Sequence, residues 1–261
     1  MSQPAILQEI RGHVAILTVN RPEVHNALNA ETMLAFERAF MDFEGNAQVR
    51  AIVITGAGEK SFIAGGDLAE MATREALPHY FEFAEDIHRI FRRVEACDKP
   101  TIAAVNGWAL GGGTELLLCT DIRMLADNAV MALPEIGLGL FPGAGGTQRA
   151  IRQLAPCVAR ELMFTGERID AHEAVRIGLA NRVVPRGDLM KEALSLADRI
   201  AAKSPVVMKL LKRTLVEGGE MPLRSALAHE QAMISLVFDT KDAHEGMQAF
   251  LEKRSAKFSG N

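Results

Sequence analysis

Cysteine, tryptophan and tyrosine are scarce in this chain: of 261 residues, three are Cys, one is Trp and one is Tyr, and aromatic residues make up 5%. Cys97, Cys119 and Cys157 are odd in number and cannot form a disulfide framework. They lie in or beside apolar helical patterns and read as reduced core thiols, which predicts a reducing compartment. Neither sign of charge dominates, with 29 Lys and Arg against 33 Asp and Glu, a net charge of -4. Such a chain has no field to draw in a polyphosphate backbone, so nucleic-acid binding is disfavoured. No run approaches the ~18 uninterrupted apolar residues of a membrane span. The opening MSQPAILQEIRGH has neither a basic start nor a long apolar stretch, so no secretory signal is expected and a cytoplasmic location is.

Several catalytic signatures are missing as well. GAGGTQR lacks the Lys-Ser/Thr ending of a nucleotide phosphate loop. TGAGEKS lacks the glycine spacing of a dinucleotide fingerprint. No Gly-x-Ser-x-Gly nucleophile elbow occurs, and the seven histidines show no metal-ligand spacing with one another or with cysteine, so no metal site is expected.

What is present is a frame of short apolar strands separated by helices. Val14–Asn20, Ala51–Gly56 and Thr101–Gly107 are β-rich runs ending in Asn, Gly or Asn-Gly. Between the first two, Met33, Leu34, Phe36, Ala39 and Phe40 form an apolar helical stripe. Between the second and third, Tyr80, Phe83, Ile87, Ile90, Phe91 and Val94 form a longer one. Continuous apolar strands between helices predict a buried, mostly parallel sheet in an α/β chain. From about Pro142 the pattern is helical. The stripes through Leu189–Ile200, Val207–Leu215 and Leu223–Phe238 have little sheet to cover, which predicts subunit packing.

Three glycine-rich segments interrupt this frame: Ser61–Leu68, Asn106–Leu118 and Pro134–Arg149. In the second, Gly111-Gly112-Gly113 precedes a helical run carrying Glu115. Backbone N–H groups there have no internal partner, and glycine lets a ligand approach them. A carbonyl oxygen gaining charge is a fitting occupant, with each such donor typically worth a factor of ~100 to 1,000 in rate. Ala64 of the first segment is a candidate second donor. Glu135 lies between apolar neighbours in Pro-Glu-Ile-Gly, a setting that raises a carboxyl pKa toward the range of general acid–base work. Taken singly, the triple glycine reads equally well as a tight turn, while the Ala64 segment reads better as an ordinary glycine turn, Glu115 as a helix-start acid and Glu135 as a loop carboxylate.

The strings RPEVHNALN, SFIAGGDL, KPTIAAVNGWALGGGTELLLCTDIR, PEIGLGLFPGAGGTQR, FTGERIDAHEAVRIGLANRVV and GMQAFLEKR, in this order, make the chain resemble the enoyl-CoA hydratase/isomerase (crotonase) superfamily over nearly its whole length. The resemblance implies an α/β, crotonase-like spiral of ββα turns over residues 1–200, carrying the active site. It implies a helical trimerisation region over 201–261, with assembly as a trimer or dimer of trimers. The implied reaction is syn hydration of a trans-2-enoyl-CoA to 3-hydroxyacyl-CoA, with coenzyme A part of the substrate and no further cofactor. Ala64 and Gly112 would form the oxyanion hole, Glu115 would deprotonate water, and Glu135 would protonate the α-carbon. Val24, His25, Gly66, Asp67, Leu68, Trp108, Leu110, Gly111, Pro134 and Gly143 match substrate-binding positions. Phe250 and Lys253 match positions that reach the nucleotide end of CoA, in several relatives from a neighbouring subunit.

The chain departs from the family pattern at Met131-Ala132-Leu133 before Pro134, and at Glu23, where lysine is frequent. The resemblance therefore implies one phosphate contact fewer and a reshaped wall near the acyl group, with Trp108, Leu133 and Phe141 its candidate shapers. A double-bond isomerase, decarboxylase or acyl-CoA hydrolase on the same oxyanion hole is the alternative within the superfamily. An RNA-binding or scaffolding relative is the alternative outside enzymology.

Overall fold

The computed structural model describes residues 3–261. Its main sheet has six strands: β1 (Ile6–Arg11), β2 (Val14–Val19), β3 (Ala51–Gly56), β5 (Thr101–Val105), β7 (Ile122–Ala126) and β10 (Arg182–Val184). They lie in the order β1-β2-β3-β5-β7-β10, parallel except for the β1–β2 hairpin. A second sheet takes β4 (Ser61–Ile63), β6 (Trp108–Leu110), β8 (Val130–Ala132) and β9 (Ile169–Asp170), in that order. Each turn of the chain thus lays one strand in the large sheet, the next in the small one, and returns through helix: β3-β4, β5-β6, β7-β8. That is the spiral expected from the sequence.

The helices are α1 (Ala30–Gly45), the short α2 (Leu68–Met71) and α3 (Ala76–Pro78), α4 (Glu85–Ala96), α5 (Gly112–Leu117), α6 (Gly146–Gln153), α7 (Pro156–Thr165), α8 (Ala171–Arg176), α9 (Leu189–Ala201), α10 (Pro205–Gly219), α11 (Leu223–Phe238) and α12 (Lys241–Leu251). Alternation along the strands divides the core, because successive side chains point to opposite faces. Ala15, Leu17, Ile52, Ile54, Ala103, Val105 and Leu125 pack with Phe36, Phe40 and Phe43 of α1 and Ile87, Ile90, Phe91 and Val94 of α4. Val14, Ala51, Val53, Ile102, Ala104, Met124 and Ala126 face α9 instead. That helix meets the sheet with Leu189, Ala193, Ala197 and Ala201, a small-residue stripe at a spacing of four that lets its axis come close.

The structure revises some local expectations. A π turn over His79–Ala84 interrupts the helical segment before α4, so Tyr80 is 63% exposed instead of lying on the buried stripe. Extra backbone in one turn rotates the side chains around it off the 3.6-residue register. Leu34 lies at the edge of the α1 stripe and is 37% exposed. Cys97 and Cys119 are buried, but Cys157, in the first turn of α7, is exposed. The hairpin strand β1 escaped sequence reading because only Ile6 of its six residues is buried.

Candidate active site

The loop between β2 and α1 is the first fixed point. Asn26 is fully buried in left-handed backbone at φ 59°, following His25 at φ 56°. Its Oδ1 accepts from the Arg21 amide at 2.9 Å; its Nδ2 donates to the carbonyls of Ala57 and Ser61 at 2.9 and 2.8 Å. One short amide side chain, of a type that tolerates this backbone region, ties the loop to the start of β4. Arg21 completes the brace, with Nη1 on the Ala27 carbonyl at 2.6 Å and Nη2 on Asp67 Oδ2 at 3.2 Å.

This bracing corrects the expected role of Ala64. Its amide is already donated to the His25 carbonyl at 3.1 Å, so it has no proton to offer a ligand. The amide two residues on is the available one. Leu28 bonds to the Gly65 carbonyl and Asp67 to the Leu28 carbonyl, a bridge that leaves the Gly66 N–H unused. Among the described residues neither the Gly66 nor the Gly112 N–H has a protein acceptor, and a Cβ added at Gly112 would lie 3.8 Å from the Gly66 nitrogen. Two free donors therefore stand side by side, because Gly113 carries no side chain and α5 can rest directly on the β4 backbone at Ile63.

Glu115, in the first turn of α5, is 2% exposed. Its Oε1 accepts from the amides of Ala144 and Gly146, each at 2.7 Å. Both acceptor directions of that oxygen are thus taken, and Oε2 is the oxygen left to exchange a proton. Burial pushes the carboxyl up to about 7, with the neighbouring Glu135 charge adding to it and the two amides and Arg149 opposing it. Glu135 sits in a 3₁₀ turn, Pro134–Leu138, half-buried, with Oε2 shielded and unpartnered. Burial raises its pKa too. Two carboxyls both raised by burial, one of them raised further by the other's charge, are the equipment of paired acid–base chemistry.

The remaining sequence candidates distribute unevenly. Gly111 lies under Glu135; Leu110 and Trp108 line β6, with the Trp108 ring 5.5 Å from that of His25. Val24 and Leu68 are exposed at the rim, Gly143 is exposed before the Ala144 turn, and Pro134 opens the 3₁₀ turn of Glu135. Leu133 is buried, whereas Phe141 is exposed. Phe250 and Lys253 are not brought here within one chain: α12 packs on α10 and α11, and Phe250 is 83% exposed. The amides of Ala144 and Gly146 and the side chains of Asn26, Arg149 and Glu95 escaped sequence reading. Only the density of glycine in GAGG hinted that backbone, not side chain, was the working part. Among the described residues no group of three or more His, Cys, Asp or Glu side chains is arranged to hold a metal ion.

A family model described as enoyl-CoA hydratase/isomerase matches residues 9–261. The chain is similar to the short-chain-enoyl-CoA hydratase of Clostridium acetobutylicum, 42% identical over 249 residues and covering 95% of each chain. It is also similar to the crotonyl-CoA hydratase of Syntrophomonas wolfei, 43% identical over 258 residues and 99% of each. The crystal structure of an enoyl-CoA hydratase from Bacillus anthracis superposes with a TM-score of 0.95 at 37% identity, over 99% of this chain and 100% of that one.

Proposed function

Since the chain belongs to the enoyl-CoA hydratase/isomerase family and is an enoyl-CoA hydratase, we propose that its site adds water syn across the 2,3 double bond of a trans-2-enoyl-CoA to give the 3-hydroxyacyl-CoA. The thioester oxygen accepts hydrogen bonds from the Gly66 and Gly112 amides. Charge drawn onto that oxygen leaves the β-carbon electrophilic and stabilises the enolate that follows. Glu115 takes a proton from water at Oε2 as the hydroxyl bonds to the β-carbon. Glu135, whose pKa burial raises, delivers a proton to the α-carbon and the thioester carbonyl re-forms. The two acids then restore their protons by exchange with solvent. No resident cofactor enters this scheme, because the amides polarise the substrate and the carboxyls carry the protons.

The observation that carries the reading is the pair of unbonded amides, Gly66 and Gly112, beside two carboxyls whose pKa values are both raised. Crotonyl-CoA tests it. The conjugated enoyl absorbance should fall with no free thiol released; release of thiol would mean hydrolysis, and an unchanged absorbance would sink hydration altogether.

We further propose residues 1–200 as the spiral core and 201–261 as a trimerisation region, with Phe250 and Lys253 serving the CoA site of a neighbouring subunit. Exposed Leu211, Leu215, Leu223, Leu227, Ile234, Leu236 and Phe238 on α10 and α11 support self-association as a trimer or dimer of trimers. A cytoplasmic location is proposed with it; no helix among the described residues is long and apolar enough to cross a membrane.

A further inference from the structure

The turn that anchors Glu115 is itself held from the side. Arg149, in the first turn of α6, sends Nη1 back to the Ala144 carbonyl at 3.3 Å. Its Nε lies 3.1 and 3.2 Å from the two carboxylate oxygens of Glu95 on α4, and its Nη2 donates to Glu95 Oε2 at 2.9 Å. Ala144 is thus gripped twice, its amide by Glu115 and its carbonyl by Arg149. Gly145, between the two anchoring amides, has φ +104°, and a Cβ there would run into Arg149 Nη1. The guanidinium is tucked beside the turn, with its side chain only 12% exposed. His88, seven residues before Glu95 and so on the same face of α4, lies near the Gly143 backbone.

We propose that the Arg149–Glu95 ion pair is the positioning element for Glu115: it fixes the Ala144–Gly146 turn so that both amides stay on Oε1 and Oε2 faces the reacting water. The proposal rests on Glu115 being the water-activating acid. Arg149 touches no reacting atom; it acts through the turn, and a bidentate fork pinned to a facing helix fixes backbone better than a point charge does. Precision matters here, since a misplacement of about 1 Å can cost roughly 100-fold in rate. The charged and titratable groups around Glu115 are Glu135 from the 3₁₀ turn, Arg149 from α6 and Cys119 from the turn that follows α5, with Glu95 and His88 of α4 around Arg149 and Arg92 beside His88. Arg149 opposes the upward push that burial and Glu135 give the Glu115 carboxyl.

The experiment is hydration of crotonyl-CoA by the full-length wild type and by Arg149→Met, Arg149→Lys and Glu95→Gln, with the pH profile of kcat and thermal unfolding of each. Arg149→Met should lower kcat by about 10- to 100-fold and change KM by less than about 3-fold. It should also move the acidic limb of kcat to higher pH, because a positive charge near the carboxylate is gone. Arg149→Lys keeps the charge and loses the fork, so the limb should return toward wild type while kcat recovers only in part. Glu95→Gln should lower kcat and move the limb the other way, since Arg149 then acts on Glu115 unopposed. A merely structural pair would change Tm without moving the limb. A folded Arg149→Met enzyme with kcat within about 2-fold of wild type and an unmoved limb overturns the proposal. If Arg149→Met does not fold, Glu95→Gln decides in the same way. A wild type that leaves crotonyl-CoA untouched sinks the hydratase reading, and this proposal with it, on a different measurement.

Discussion

The Glu135 carboxylate lies against the Cα of Gly111: a Cβ at position 111 would meet Oε1 at 2.7 Å and Cδ at 3.3 Å. Gly111 also holds φ 50° and ψ -120°, a backbone region closed to side chains. Gly111→Ala therefore strains the turn into α5 and pushes Glu135, the proposed proton donor, off its place. Turnover of crotonyl-CoA is expected to fall by at least about 10-fold, with KM changed far less. Unchanged turnover in a folded variant would show that the contact does not set the position of Glu135.

Replacing each acid by its amide separates proton transfer from shape. In Glu115→Gln the side-chain carbonyl oxygen can still accept from Ala144 and Gly146, and in Glu135→Gln the bulk over Gly111 is kept. Each substitution is expected to lower kcat by about 100-fold or more, the usual worth of a general acid or base. Substrate binding, read from product inhibition, should move much less. Hydration at the wild-type rate in either variant removes that residue from the scheme.

The sequence and the structure agree where one local rule governs. The strands β2, β3 and β5 were legible as β-branched runs, and α1 and α4 as apolar stripes. Glu115 and Glu135 were legible through the strings around them, not through any property of an isolated glutamate. The unbonded amide lies two residues beyond the expected one, which the sequence does not show because glycine and alanine amides are chemically alike in a string of letters. Only the bond from Ala64 to His25, itself a product of left-handed backbone at His25 and Asn26, shows which N–H is left over. Arg149 and Glu95 are 54 positions apart, and nothing in either neighbourhood announces the pairing.

The buried acids also tie stability to pH. Folding raises the Glu115 pKa from 4.5 to about 7, so the folded chain binds the proton more tightly than the unfolded one. Its contribution is fully present below about pH 4.5 and is lost as pH rises through about 7, of order 3 kcal/mol in all. Glu135 acts in the same direction. Glu115→Gln should therefore narrow the difference in urea unfolding free energy between pH 5 and pH 8. In kinetics the rate should rise as Glu115 ionises near pH 7. A stability difference that the Glu115→Gln substitution leaves intact would assign the pH dependence to other groups.

The approach of the Gly66 and Gly112 amides depends on α5 lying directly on β4. A Cβ at Gly113 would fall on the Ile63 carbonyl, a backbone atom that cannot swing aside, and would also crowd the Ile63 side chain. In Gly113→Ala the helix start must move off the strand, carrying Gly112 away from Gly66. One lost oxyanion donor is worth about 100- to 1,000-fold in kcat. The overpacked contact should also destabilise the fold by about 1–3 kcal/mol. Because the substitution leaves Glu115 and Glu135 chemically intact, the exchange of the α-proton of a saturated acyl-CoA should fall along with hydration. Both reactions need the same charged oxygen held by the same two amides. Loss of hydration with undiminished α-proton exchange would mean that the enolate is stabilised by something other than this pair of N–H groups.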